Sequence, residues 1–522
     1  MKRVTIYAVL IAVSIAINLL TGCSGAGKNK PTDISGLDNI VNKGSAGNQD
    51  QITLTFYFKN SYAKTNTQAV MDEIQKRLKD KLNIKLNFKF ITYLEKGTDV
   101  TYGYNKMIQA RIASGETFEA FFYTDHQLPY NMADNDTYLN LDTLVNKGMA
   151  KDLSQLFPKY APNLYGKYSK EELKAVTFNG RLAAVPSLFQ SSKRCCAIVR
   201  KDLMDKYSIP AINNIDDFEG YLKVIREKEP DLVPLSLRFS LKDIVVEKAG
   251  YVSLDNYTGL VYKWNDPEMK LIYYKELPEY GIYSKMAKDW RAKGYFLNAA
   301  GQEPEFSYNG PWTLQPDSPM PASFLGCSAI DNFILSGDHY EPILWNTEKE
   351  IAVYPLFPDK AAQLISPSNE AIVIPSTAKY PEKTLQFLEW VQSSQENYDL
   401  LMYGILGKDY TLYGKQYVPQ GDYVKYGMSD YIGWPCSRPF WNIEYLRTSI
   451  NSSPNDKDEY KRLLESDSKY PPHAGFCPDY TLLVKNEFEK FLYNTEVTDE
   501  EKSRLKSEMQ RQLDEWRKNN AR

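Results

Sequence analysis

Residues that carry reactive chemistry are scarce in this sequence. Among 522 residues there are six cysteines and three histidines, His126, His339 and His473. A secreted scaffold built on disulfides uses more cysteine, in even number. No Cys-x-x-Cys pair occurs, which argues against a zinc ribbon or a thioredoxin-type site. His-Glu-x-x-His, a Walker-type phosphate loop and a Gly-x-Ser-x-Gly elbow are all missing, so the common metalloprotease, nucleotide-hydrolysing and serine-hydrolase signatures are absent. A basic excess is missing too: 63 Lys and Arg stand against 66 Asp and Glu, for a formal net charge of −3. Nothing in that balance points to nucleic acid or another polyanion. No apolar stretch of membrane-spanning length follows Leu20.

What is abundant is aromatic surface, with 39 Tyr and 8 Trp. These side chains combine a flat apolar face with a polar edge, which suits cores and binding surfaces alike. Apolar content of 43% and charged content of 25% are ordinary for a globular chain. The length exceeds one domain of ~100–200 residues and allows two lobes with cores of their own. Apart from Cys23, the cysteines are Cys195, Cys196, Cys327, Cys436 and Cys477. Adjacent Cys195 and Cys196 are poor partners for each other, so mostly buried thiols are expected. One bridge, such as Cys436–Cys477, is compatible with the count.

The N-terminus reads as a secretory leader: Met1-Lys2-Arg3, then a mostly apolar run from Val4 to Leu20, then small residues. Leu20-Thr21-Gly22-Cys23 resembles the lipobox of bacterial lipoproteins, in which the cysteine takes a diacylglycerol and becomes the new N-terminus. The resemblance implies a signal peptide over 1–22, lipid on Cys23, and an extracellular, membrane-anchored chain. Residues 23–50, rich in Gly, Ser, Asn and Lys, read as a flexible tether.

Folding signals start at Ile52. Ile52–Phe58 is a β-branched and aromatic strand. Thr67–Leu82 carries Val70, Ile74, Leu78 and Leu82 at helical spacing. Ile84–Ile91 alternates as a strand, Lys106–Ser114 is helical with Gly115 as its stop, and Phe118–Tyr123 reads as a short buried strand. This alternation predicts an α/β layered domain. A second round follows. Gly180–Pro186 is a hairpin end or crossing, Cys196–Val199 a strand, and Arg200–Tyr207 a helix. A further helix to Lys228 is expected to be capped by Asp216. Ala371–Pro375 is a strand, Pro381–Val391 a helix, and Thr498–Lys518 an amphipathic helix opened by a capping box of Thr498 and Glu501.

Several segments, in this order, resemble the extracellular solute-binding lipoproteins of carbohydrate ABC importers, in their long Gram-positive form. They are Lys106–Glu116 with Phe121-Phe122, Asn179–Pro186, Arg200–Leu203 with Lys206-Tyr207, Pro381–Trp390, Tyr403–Tyr410 and Glu508–Trp516. The resemblance implies a two-lobe, periplasmic-binding-protein-like (type II) α/β fold with a hinge and an interlobe cleft. Lobe 1 is then expected over 51–186 plus 371–410, and lobe 2 over 187–370 plus 411–522. It also implies that the lobes close on a solute, here expected to be an oligosaccharide, and that a monomeric protein docks on permease subunits. No catalysis, cofactor or metal is expected.

Sugars offer an apolar CH face and a rim of hydroxyls, which call for aromatic faces and fixed hydrogen-bonding groups. In open α/β sheets ligands sit off the carboxyl ends of strands, which selects Asn60, Tyr62, Tyr123 and Asp125. The crossings add Phe189, Gln190, Asn369 and Glu370. Tyr308-Asn309-Gly310-Pro311-Trp312 resembles the segment on which maltodextrin-binding proteins carry a stacking Trp, and nominates Trp312. The aromatic loop Gly433–Trp441 nominates Trp434, Arg438 and Trp441. Asp134, Asp136 and Asp142 read as a solvated loop, since the glycine and closing glutamate of a calcium loop are missing. Two alternatives stay open. An extracellular glycoside hydrolase needs a carboxylate pair that no local signature singles out. A peptide or other solute could be bound on the same fold.

Overall fold

Three parallel strands organise the first sheet of the computed structural model: Ile84–Ile91, Ile52–Lys59 and Ala120–Thr124 lie side by side. The described residues are 51–59, 67–91, 100–124, 140–235, 241–255, 258–295, 322–326, 351–420, 440–448, 456–465, 467–478 and 497–520. All belong to the compact unit Gly47–Arg522. Cys23 and the leader lie outside them. Among the described residues no helix is long and apolar enough to cross a membrane.

The strand Ile52–Lys59 buries Leu54, Phe56 and Phe58 on one face; on the other, burial is reached at Tyr57, after exposed Thr53 and half-buried Thr55. On one face Phe56 meets Phe88 edge-on at 5.3 Å, and Phe387 of the helix Pro381–Val391 at 5.4 Å. The register pairs Phe56 with Phe88, so this contact is a cross-strand pair capped by a helix. On the other face Tyr57 packs against Phe118 at 5.0 Å, and its hydroxyl donates to Glu116. The Tyr104 hydroxyl, on the helix Val100–Ala113, lies 3.0 Å from the carbonyl of Tyr57 and 2.9 Å from that of Phe122, clasping two strands. The helix Thr67–Leu82 buries Val70, Ile74 and Leu78 completely, as its spacing predicts. Asn83, at φ +52°, turns the chain directly into the next strand.

Two antiparallel strands complete this sheet. Glu370–Val373 returns beside Ala120–Thr124, with Glu370 opposite Thr124 and Ala371 opposite Tyr123. Val185–Pro186 forms the far edge. The chain therefore leaves and re-enters this layer at adjacent positions.

A second sheet places Cys196–Arg200 between Ser323–Gly326 and Ile351–Pro355, all antiparallel. Side chains alternate along a strand, and here the alternation separates two cores. Cys196 and Ile198 join the apolar cluster of the first sheet, while Cys195, Ala197 and Val199 join a second cluster with Phe218, Tyr221, Leu222 and Trp290. The helix Ile215–Lys228 in that cluster is capped by Asn214, not by Asp216. The Asn214 side chain accepts from the backbone N–H groups of Asp216 and Asp217, both at 2.9 Å, and its extended backbone is the usual N-cap conformation. A third, small antiparallel sheet (251–253, 260–263, 272–273) is covered by the helix Asp499–Asn520 through Leu505, Met509 and Leu513. The capping box of Thr498 and Glu501 forms as read, with bonds of 2.7 and 3.2 Å.

Two placements differ from the sequence-based expectation. Residues 440–448 and 456–465, expected in the second lobe, contribute Phe440, Trp441, Leu446, Tyr460 and Leu463 to the first cluster. Gln392, just past the helix Pro381–Val391, donates to the carbonyl of Phe440 at 2.9 Å and accepts from Asn442 at 2.9 Å, which fixes this segment there. Among the cysteines, Cys195 is disulfide-bonded, and its partner lies outside the described residues. Cys196 and Cys477 are thiols, which removes Cys436–Cys477 as the bridge.

His473 is buried with its Nδ1 2.6 Å from the Tyr262 hydroxyl. Burial pushes its imidazole from 6.5 down to about 3, and neighbouring Lys193 adds to the shift. Between those values the unfolded chain binds a proton that the folded chain refuses, so stability falls as pH drops through this window. The expected loss from this group between pH 6.5 and 5 is about 2 kcal/mol. Denaturant unfolding at pH 7.5 and 5 should show a smaller pH effect in His473→Gln than in the native protein. An equal pH effect in both would show that His473 does not carry this dependence.

Candidate functional site

Three chain segments cross side by side between the first and second sheets. Ile365 donates to the carbonyl of Ser191 and Lys193 to that of Gln363, both at 2.8 Å, while Leu364 donates to Lys469 at 2.8 Å. Ala362–Gln363 and Ser468–Lys469 run parallel. Backbone polar groups with little room for water are thus paired with one another rather than left open. Gly475 closes the third segment onto the first layer. Its φ is +90°, and a Cβ there would stand 2.7 Å from the carbonyl oxygen of Ala175.

The sequence nominates twelve contact residues. Asn60, Tyr62, Asp125, Trp312, Trp434 and Arg438 lie outside the described residues. The remaining six fall in one neighbourhood. Ala371 stands between Tyr123 and Pro186 in the sheet register, and Ser187 donates to the carbonyl of Glu370 at 3.3 Å. Asn369 and Glu370 therefore lie beside the start of the first crossing, whose next residues are Phe189 and Gln190. Leu188 bridges to Asn442, which brings in Trp441.

Within this neighbourhood the side chains divide by type. Tyr123, Phe189 and Trp441 are buried, at 1%, 9% and 7% exposure. Phe189 stacks flat on Tyr460 at 5.5 Å and meets the Trp441 ring edge-on at 5.0 Å. Gln190, Asn369 and Glu370 in the same neighbourhood are half-buried. Buried rings and half-buried polar groups side by side are the composition a hydroxyl-rich, partly apolar solute needs.

Several residues here were not singled out from sequence. Glu172 is buried on the helix Lys170–Ala175 and accepts from four donors: Ser169 N–H at 2.8 Å, Ser169 Oγ at 2.9 Å, Gln190 Nε2 at 3.1 Å and Tyr470 OH at 3.0 Å. Tyr460 OH donates to the carbonyl of Gln190 at 2.6 Å, and Tyr168 OH to that of Pro186 at 2.7 Å. Burial first, then the Glu172 carboxylate, raise the Tyr470 phenol, which stays a donor. The local signal was Ser169-x-x-Glu172, a capping-box spacing. The partners of Glu172 some 18 and 298 residues away carry no such signal. Asp142 sits in the first turn of the helix Leu141–Asn146, and burial raises its carboxyl; Asp134 and Asp136 lie outside the described residues. Among the described residues no group of three or more His, Cys, Asp or Glu could hold a metal ion.

No protein-family model matches the chain. A curated Streptococcus pneumoniae (serotype 4) protein, described as a carbohydrate ABC transporter substrate-binding protein, is 23% identical over 484 residues, 87% of this chain and 89% of its own. The crystal structure of the N-glycan transport solute binding protein NgtS from S. pneumoniae superposes with a TM-score of 0.63 at 19% identity, covering 90% of this chain and all of that one. NgtS has also been solved with Man1GlcNAc. The S. pneumoniae substrate-binding protein FusA, solved with kestose, matches at a TM-score of 0.51 and 16% identity over 90% of this chain and 98% of its own.

Gly475→Ala should cost about 2 kcal/mol in denaturant unfolding, because the methyl group meets backbone at the crossing and the backbone favours glycine. Gly414→Ala, at φ +59° with open space around it, is the control and should cost less. Equal losses would show that the approach to Ala175 is not tight. The fold is the two-lobe type II solute-binding fold, and over 87% of its length the chain is similar in sequence to a carbohydrate ABC transporter substrate-binding protein.

Proposed function

We propose that this protein is a non-catalytic, monomeric receptor that captures an oligosaccharide outside the cell and delivers it to ABC permease subunits by lobe closure. Lipid on Cys23 holds it at the membrane, and residues 23–50 give it reach. The observation that carries the reading is the neighbourhood at the crossings. Half-buried Gln190, Asn369 and Glu370 fall in the same neighbourhood as the buried rings of Tyr123, Phe189 and Trp441, on a fold whose relatives are named for sugar transport. Asn60, Tyr62, Asp125, Trp312, Trp434 and Arg438 complete the proposed contact set. Lobe 1 is proposed over 51–186 plus 371–410. The proposed second lobe takes 187–370 and the C-terminal residues, less the segments around 440–465 that pack with the first cluster.

Relatives that are transport receptors rather than enzymes support the non-catalytic reading. Capture and delivery need no bond to break. What is needed is affinity that rises on closure and falls when a permease reopens the lobes.

Isothermal calorimetry of the chain from Ser24 onward tests the proposal, against mannosyl-N-acetylglucosamine, kestose and maltotriose. At least one is expected to bind. Gln190→Ala should weaken that binding about tenfold, the value of one good hydrogen bond to a solute, with little change in melting temperature. Tight binding of a peptide and of no glycan would overturn the sugar assignment. Turnover of a glycan, abolished by one Asp or Glu substitution, would overturn the non-catalytic reading.

A further inference from the structure

We infer that Glu172 is the positioning residue of the solute site: its carboxylate sets the Gln190 amide and ties that amide to the third crossing segment through Tyr470. The inference rests on the proposed solute-binding reading in taking Gln190 as a contact residue.

A carboxylate offers about four lone-pair directions, and all four at Glu172 are used. Oε2 takes both donors of Ser169, which anchors the side chain to its own helix, Lys170–Ala175. Oε1 takes Gln190 Nε2 from the first crossing and Tyr470 OH from the third. One oxygen thus joins two of the three segments that run between the layers.

The chemistry of this junction fixes an orientation. An ionised carboxylate only accepts, so the Gln190 amide must turn its NH₂ inward and its carbonyl oxygen away from Glu172. The Gln190 main chain is held as well, by Tyr460 OH on its carbonyl oxygen at 2.6 Å. A half-buried glutamine ordinarily keeps several rotamers, and ordering it on binding costs affinity. Glu172 removes that cost beforehand and presents an acceptor of fixed direction to a solute hydroxyl. Because Tyr470 belongs to the segment paired with Ala362–Gln363, movement of the third crossing is felt at Gln190. Glu172 does not touch the solute itself. Its role is distinct from core packing, since Gln190 and Tyr470 lie on separate segments of the crossing.

A double-mutant cycle on the chain from Ser24 onward tests this, with mannosyl-N-acetylglucosamine, kestose and maltotriose as calorimetric probes. Glu172→Gln puts an amide where only an acceptor fits. It should weaken binding of the responding glycan about tenfold in the native background, and by less than twofold in the Gln190→Ala background. Equal losses in both backgrounds would overturn the inference, because a residue acting through Gln190 has nothing left to position once that amide is gone. Amide hydrogen exchange gives a second readout that needs no solute. Glu172→Gln should raise exchange in segments 187–192 and 467–475 together, with the strand Ile52–Lys59 unchanged. Unchanged exchange in both crossing segments would overturn it as well. Should Glu172→Gln fail to fold, Tyr470→Phe takes its place in both measurements. If the native protein binds none of the three glycans, the sugar reading fails and the exchange comparison alone decides the role of Glu172.

Discussion

A chain that passes several times between two sheets has to satisfy the backbone of its crossings. Here the crossings are a ribbon of three segments around residues 191–193, 363–365 and 467–469, each hydrogen-bonded to a neighbour. The ribbon settles much else. It brings Glu370 to the carboxyl end of the strand Ala120–Thr124, and it starts the second sheet at Cys196. It also forces the strand Cys196–Arg200 to face two ways, with even positions on the first core and odd positions on the second. Gly475 and the Glu172 carboxylate clamp the third segment of the ribbon to the first layer.

The division of labour among aromatic side chains follows from this geometry. Rings near the crossings are sheltered: Phe189 lies between Tyr460 and Trp441, and Tyr123 is sealed in the sheet. Half-buried polar groups lie around them. If a solute binds here as proposed, rings this tightly packed need little ordering when it arrives. Affinity then goes into contacts rather than into ordering the site. The abundance of tyrosine fits a similar demand in the cores. Tyr104 and Tyr168 fill apolar space and spend their hydroxyls on backbone carbonyls of neighbouring segments.

Much of the layered frame was legible in the sequence, because its elements are locally encoded. The period of Val70, Ile74 and Leu78 gives the helix Thr67–Leu82, and the alternation over Ile84–Ile91 gives its strand, with the bounds read from the pattern. Pro381 marks the start of its helix, and Thr498 with Glu501 marks the last one. Competing local choices were harder. Asn214 and Asp216 are both cap formers, and the choice fell to Asn214, whose carbonyl oxygen reaches two N–H groups at once. Long-range placement was least legible. Nothing local in Phe440-Trp441-Asn442 says that Gln392 will hold it on the first layer, and nothing near Glu172 points to Tyr470. The bridged state of Cys195 beside the thiol Cys196 is set by which face of the strand each occupies, which composition does not encode.

The account depends on the crossing being a hinge, with the ribbon intact while the lobes close over a solute bound at Gln190, Asn369 and Glu370. Small-angle X-ray scattering of the chain from Ser24 onward, free and saturated with the best-binding glycan, tests that most directly. The account predicts a smaller radius of gyration and a shorter maximum dimension when the glycan is bound. A profile that is unchanged at saturation, with binding verified by calorimetry in the same sample, would contradict it.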